Sequence, residues 1–165
     1  MITTTTTLTK LYGISVGSSD FTLSARIDYD NCAVTAWTSW ISLWCNSNWP
    51  IWGFWWPRSN TQRWVWGAKF GGWVVPYIAN MVNSWIRCLH LIRNGSSLML
   101  YMDGTLMWTA SCSGTLDTWL YIRIGGLTGW NEVVTCWNVI LEDVARTAQE
   151  VLDYYNNTKS NYGIS

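Results

Sequence analysis

The chain has 165 residues, ten basic and ten acidic side chains, and a formal net charge of zero. That balance excludes electrostatic binding of nucleic acid, which needs a basic face, and a hydrophobic content of 49% excludes disorder. The length suits one domain over 1–165, able to bury roughly 70% of its unfolded surface without staples.

The opening MITTTTTLTK is a threonine tract with no basic segment leading into an apolar one, so no secretory leader is expected. No apolar run reaches the ~18 residues of a membrane span, and Pro50 and Pro57 interrupt the most aromatic stretch. An interfacial aromatic anchor stays open but lacks Lys and Arg support.

FTLSARIDY alternates strictly, with Phe21, Leu23, Ala25, Ile27 and Tyr29 on one side and Thr22, Ser24, Arg26 and Asp28 on the other. This predicts a strand with one buried and one wet face. WISLW sets Ile41 and Leu43 against Trp40, Ser42 and Trp44. In WPIWGFWWP, alternation groups Trp52, Phe54 and Trp56 as the better core row and leaves Trp55 outward with Ile51 and Gly53. RWVWGAKF groups Trp64 with Trp66, opposite Val65, and Pro76 in WVVPYI marks an edge strand or a bend.

Asn94-Gly95 and Asp103-Gly104 are signals for two-residue type I′ hairpins, because both turn residues need positive φ. Counting outward from these turns pairs Leu91 with Leu98, Leu89 with Leu100, Leu100 with Met107 and Leu98 with Thr109. One face of the meander is then a leucine core. The other collects His90, Met99 and Trp108 in one row and Cys88, Tyr101 and Leu106 in the next. VVTCWNVILEDV reads as a last long strand. TAQEVLDYYNN opens on a capping box, Thr147 with Glu150, and carries Val151, Tyr154 and Tyr155 at helical spacing. The sum is an all-β jelly-roll sandwich of two antiparallel sheets with one short C-terminal helix.

Three anchors lie in order: DFTLSARI (20–27), the stretch from Trp85 through HLIRNGSSLMLYMDG to Gly104, and LYIRIGG followed by NVILEDVARTAQEVLDYYN. Together they resemble the concanavalin A-like lectin/glucanase superfamily in its laminin-G/pentraxin-like branch, over residues 20–156. The resemblance implies a jelly-roll of a kind common in phage virion proteins, adhesins and extracellular enzymes. Most such modules bind glycans or proteins, some are glycosidases, and many bind calcium. Trp137 stands where the branch carries an aspartate, so calcium is left unplaced and no cofactor is expected.

The five cysteines, Cys32, Cys45, Cys88, Cys112 and Cys136, form no C-x-x-C, which supports free thiols over a zinc site and leaves disulfides open. Glycoside hydrolysis needs a positioned carboxylate pair, and the E-x-D-x-E strand of the glucanase branch is absent. Asp28 and Asp30, roughly 6.6 Å apart by strand rise, read as a solvated strand end. His90 is the lone histidine, without an evident triad partner.

The fifteen tryptophans remain. Each buries roughly 150–250 Å², and one domain is not expected to hold all of them inside. Rigid rings beside polar groups stack on sugars, and large exposed aromatic patches mark binding or assembly surfaces. Trp55, Trp56, Arg58, Trp64, Trp66, His90, Met99, Tyr101 and Trp108 are therefore the expected ligand or interface residues, with no catalytic or metal-binding set. The expected function is non-catalytic recognition or adhesion at a virion or other extracellular surface. The partner is a glycan or surface protein, with copies of the chain or virion proteins as neighbours. The alternatives are a coat or decoration protein that self-assembles through tryptophan-rich faces, and a glycoside hydrolase or lyase.

Overall fold

The computed structural model describes residues 2–4, 8–14, 20–28, 38–44, 50–56, 63–70, 72–80, 86–112, 120–124 and 134–162, and side chains at 20–27, 87–112 and 136–162. The strands are β1 Ile2–Thr4, β2 Leu8–Ile14, β3 Phe21–Asp28, β4 Thr38–Trp44, β5 Pro50–Trp56, β6 Arg63–Phe70 and β7 Gly72–Asn80. They continue with β8 Ile86–Asn94, β9 Ser97–Met102, β10 Thr105–Ser111, β11 Leu120–Ile124 and β12 Val134–Glu142. Helix α1, Ala148–Thr158, runs into a 3-10 turn, Lys159–Tyr162.

The strands form two six-stranded antiparallel sheets, in the orders β1-β12-β3-β8-β9-β10 and β2-β11-β4-β5-β6-β7. The threonine-rich opening supplies a strand to each, as suits β-branched side chains on a pleat. Pro50 begins β5, and Pro76 lies in the last-placed strand of the second sheet where the β6–β7 register shifts, two positions where a missing N–H is tolerated.

The inner face of the first sheet is built as the alternation predicts. Phe21, Leu23, Ala25 and Ile27 of β3, Leu89 and Leu91 of β8, and Leu98 and Leu100 of β9 are fully buried. Truncating one such leucine to alanine costs about 2–5 kcal/mol.

Both hairpins form, but the pairing differs from the count. At the first, Asn94 stays in the ladder opposite Ser97, so the turn is Gly95-Ser96. Gly95 takes φ +57° and its N–H donates to Asp20 Oδ1 at 2.6 Å. One glycine at the first turn position gives the primed bend, and Asn94 need not leave extended geometry. Leu91 therefore faces Leu100, and Leu89 faces Met102. The slip is two residues, so every side chain keeps its face.

The second turn is Asp103-Gly104, with φ of +51° and +80°, as expected. Beyond it Met107 is an extra residue in β10, and Trp108 pairs with Leu100 while Thr109 pairs with Met99. This one-residue bulge moves Trp108 out of the His90 and Met99 row and into the leucine row, correcting the expectation for that tryptophan.

A second correction concerns the expected wet face of β3: Thr22, Ser24 and Arg26 are buried. The C-terminal segment lies over them. Thr22 Oγ1 donates to the Val144 carbonyl at 2.8 Å and accepts from the Arg146 N–H at 3.0 Å. Val151 of α1 is fully buried against Ile92 and Tyr101, with Met99 and Ala145 packed around them. At Gly104 the φ of +80° calls for glycine, and a Cβ there would also meet Leu152 Cδ1 at 2.9 Å, the far end of a side chain that can shift.

The capping box is complete. Thr147 Oγ1 accepts from the Glu150 N–H, and the Glu150 carboxylate accepts from the Thr147 N–H at 2.7 Å. Thr147→Ala should therefore lower stability by about 1 kcal/mol, a fall of about 2–4 °C in Tm for a domain of this size. An unchanged melting temperature in a calorimetric scan would contradict the role of the cap.

Candidate functional site

The expected site residues fall in two places. Trp55, Trp56, Trp64 and Trp66 lie on the adjacent strands β5 and β6 of the second sheet, in its interior rather than at its edge. Trp66 pairs with Phe54 and Tyr77, whereas Trp55 pairs with Ser39 and Val65. Cross-strand partners share a side of a sheet, so Trp66 falls in the Phe54 set and Trp55 in the alternate one, as the alternation of WPIWGFWWP requires. Arg58 lies outside the described residues, as do Asp30, Cys32 and Cys45 and the side chain of Asp28.

His90, Met99, Tyr101 and Trp108 lie on the first sheet. His90 is opposite Tyr101, and Met99 is opposite Ile92 and Thr109. His90 and Tyr101 are buried and Met99 and Trp108 half-buried. The open aromatic face expected from the sequence does not exist at His90 and Tyr101, because α1 covers it. The signal for this cover was the Val151 and Tyr154 stripe, which needed an apolar surface to dock on.

The covered face is a small polar grid. Ser24 stands opposite His90, and Arg26 opposite Cys88. Tyr154 of α1 is the lid of this grid. Its ring meets His90 edge-on, with centroids 5.4 Å apart and planes at 85°. The Arg146 guanidinium carbon lies 5.0 Å from the same centroid, and that of Arg26 lies 5.9 Å from it. Arg26 also sits 4.2 Å from the Tyr162 ring centroid and donates through Nη2 to Thr158 Oγ1. Trp137, paired with Arg26 across β12 and β3, packs edge-on against Tyr162. Asn138, at φ +50° in a register shift of β12, donates to the Tyr162 hydroxyl at 2.6 Å. The sequence reading missed Arg26, Trp137, Tyr154 and Tyr162 as one cluster, since they come from three separate parts of the chain.

Arg26 is fully buried, and among the described residues its Nε and Nη1 find no hydrogen-bond partner; nor do Ser24 Oγ and His90 Nε2. Aromatic faces and one hydroxyl surround its charge where a carboxylate would be usual. Arg146, by contrast, is paired with Glu142 by two bonds of 2.6 and 2.8 Å. The consequence falls on His90. Burial first, then Arg146 and Arg26, push its pKa down to about 3. Burial likewise pushes the Cys88 thiol up to about 12 and Cys136 up to about 11, which makes them inert as nucleophiles. Cys88, Cys112 and Cys136 are free thiols. Among the described residues no three His, Cys, Asp or Glu side chains are grouped to hold a metal ion, and no helix is long and apolar enough to cross a membrane.

No family model matches the chain, and no curated protein does. Solved structures do. The binding domain of Paraclostridial Mosquitocidal Protein 1 superposes with a TM-score of 0.66 at 17% identity, over 92% of this chain and 40% of that one. The Botulinum Neurotoxin serotype G binding domain gives 0.67 at 12% identity, over 91% of this chain and 40% of that one. Trypanosoma rangeli sialidase in complex with sialic acid gives 0.62 at 14% identity, over 90% of this chain and 24% of that one. At these identities the likeness is one of fold: a β-sandwich shared with part of each of these binding domains and with about a quarter of the sialidase chain. The chain spans about two fifths of the length of the binding domains it matches.

Replacing Arg26 by methionine keeps most of its volume and removes a buried charge. Stability should hold or rise. The pKa of His90 should move up from about 3 toward its ordinary value. The chain has a single histidine, so its imidazole resonance reports this directly in an NMR titration. An unmoved titration would show that the field of Arg26 does not reach the ring.

Proposed function

We propose that the chain is a non-catalytic carbohydrate-recognition module of the concanavalin A-like, laminin-G-like kind. The observation that carries this reading is the sandwich itself, which matches toxin binding domains over most of the chain. One of the matched domains was solved in complex with SialylT, at a TM-score of 0.63 and 10% identity over 84% of this chain and 36% of that one. With α1 seated on the first sheet, the tryptophans of β5 and β6 are the remaining aromatic ladder for stacking on sugar rings. Trp55, paired with Ser39 and set apart from the Phe54 row, is the principal residue of this reading. Arg58, close to it in sequence, is the polar partner of this reading, while Trp56, Trp64 and Trp66 fall in the alternate row. A sialidase shares the fold, so catalysis is the competing reading. Against it stands the absence of the E-x-D-x-E carboxylate strand from the sequence. The same proposal places the module on a virion or other extracellular surface, among copies of itself or other surface proteins.

Two measurements test it. On a panel of sialylated and neutral oligosaccharides, the chain should bind at least one and release neither reducing ends nor sialic acid. Trp55→Ala should weaken that binding by about 2 kcal/mol, roughly 30-fold, and leave Tm unchanged. Turnover of any panel member, or a Trp55→Ala variant that melts early and binds as before, would overturn the reading.

A further inference from the structure

The polar grid beneath α1 goes beyond carbohydrate recognition and does not rest on it. We propose that α1 and the 3-10 turn after it form an acid-releasable strap, in which protonation of His90 adds a cation to a closed patch that already holds Arg26 and Arg146 and lifts residues 148–162 from the first sheet.

The geometry supplies each part of the device. His90 is fully buried, in the middle strand pair of the sheet, so a proton on its ring has no route to solvent while the strap is down. The groups facing it come from every element around it. Ser24 and Arg26 come from β3, Cys88 from its own strand, Tyr101 from β9, Arg146 from the segment before α1, and Tyr154 from α1. Cys88 Sγ lies 4.0 Å from His90 Nδ1 and is held as a neutral thiol. Among the described residues the acidic groups near the patch are Glu142, which pairs with Arg146, Glu150, which is engaged by the Thr147 cap, and Asp103, which pairs with Arg87 and accepts the Cys88 N–H. None of these carboxylates is bonded to His90, Arg26 or Tyr154, so a charged imidazole would share the enclosed patch with two guanidiniums.

The strap is also a separable unit. Its anchors are the buried Val151 against Ile92 and Tyr101, Leu152 over Gly104, and the Tyr154 and Tyr162 rings on Arg26. Leu152 is 39% exposed, and the polar side chains of Gln149, Asp153, Asn156 and Asn157 face solvent. The leucine core of the sheet lies on the opposite face and is untouched by release of the helix. A released strap would uncover His90, Ile92, Met99 and Tyr101.

The sign follows from linkage. His90 is held at about 3 with the strap down and returns to about 6.5 once released. Between those values the released state binds the extra proton, so docking is complete above about pH 6.5 and weakens as pH falls. Each pH unit in that window shifts the docking equilibrium by up to about tenfold toward release.

The test is hydrogen exchange followed by mass spectrometry on the full chain between pH 7.5 and 4.5, with intrinsic rates corrected. Peptides from 148–162 should lose protection by tenfold or more on acidification, while peptides from 86–102 keep theirs. His90→Asn should make the strap's protection independent of pH. Should that variant not fold, the single imidazole of the unsubstituted chain gives a second reading, and its NMR titration midpoint should coincide with strap release. A strap that stays protected to pH 4.5 overturns the proposal. So does one that opens together with the sheet, or an imidazole that titrates near its ordinary value with the strap still protected.

Discussion

The docking of the C-terminal segment on the outer face of the first sheet is the constraint on which the rest of that sheet depends. A six-stranded sheet in a sandwich needs only one apolar face. Here β3, β8 and β9 bury both faces, one against the sandwich core and one beneath α1. The second burial explains why a strand written as apolar alternating with polar has no exposed side at Thr22, Ser24 and Arg26. It sets Leu152 of α1 against the turn at Gly104, where a φ of +80° calls for glycine. It also explains the electrostatics, since ordinary surface polar groups became an enclosed patch when the helix was added.

Arg87 of β8 and the turn residue Asp103 tie this arrangement to the second hairpin. Asp103 bonds Arg87 Nη1 through Oδ2 at 2.6 Å and accepts the Cys88 N–H through Oδ1 at 2.9 Å. Its own N–H donates to the Cys88 carbonyl at 2.8 Å. The tight turn that presents Gly104 to Leu152 is thereby fixed to the strand that carries His90. The strap is thus held both at this hairpin, where Leu152 meets Gly104, and by the grid itself, where Arg26 bonds Thr158 and lies over the Tyr162 ring.

What the sequence made legible was local. Alternation in FTLSARIDY gave the strand and its core row, Asp103-Gly104 gave a turn, and Thr147 with Glu150 gave the start of the helix, because each depends on residues a few positions apart. What failed depended on distant or competing partners. The turn at Gly95 moved by one residue because Asp20, 75 positions earlier, holds the Gly95 N–H. The bulge at Met107 reversed the face of Trp108, and a bulge leaves no mark in a run of ordinary strand residues. The burial of His90 and Tyr101 could have been anticipated from the helix stripe, which had to cover some apolar face. Alternation alone could not say which one.

The cover also changes the weight of the tryptophan count. Fifteen such side chains exceed what a two-sheet core with open outer faces would hold, and that excess argued for exposed binding surfaces. A helix laid on one outer face adds a second buried layer, and aromatic residues fill it: Trp137 against Tyr162, Tyr154 against His90, and Tyr101 against Val151. Trp108 is drawn to the leucine row on the other side. Two of the tryptophans with described side chains therefore have structural positions without any ligand, and composition by itself argues less for an aromatic binding surface than it first did. The weight shifts to the β5–β6 ladder. There the pairing of Trp55 with Ser39 and Val65, and of Trp66 with Phe54 and Tyr77, distributes neighbouring tryptophans between alternate sets of a central strand pair. By register Trp55 and Trp66 belong to alternate rows of the ladder, so a recognition surface on either side of the sheet would draw on one row alone.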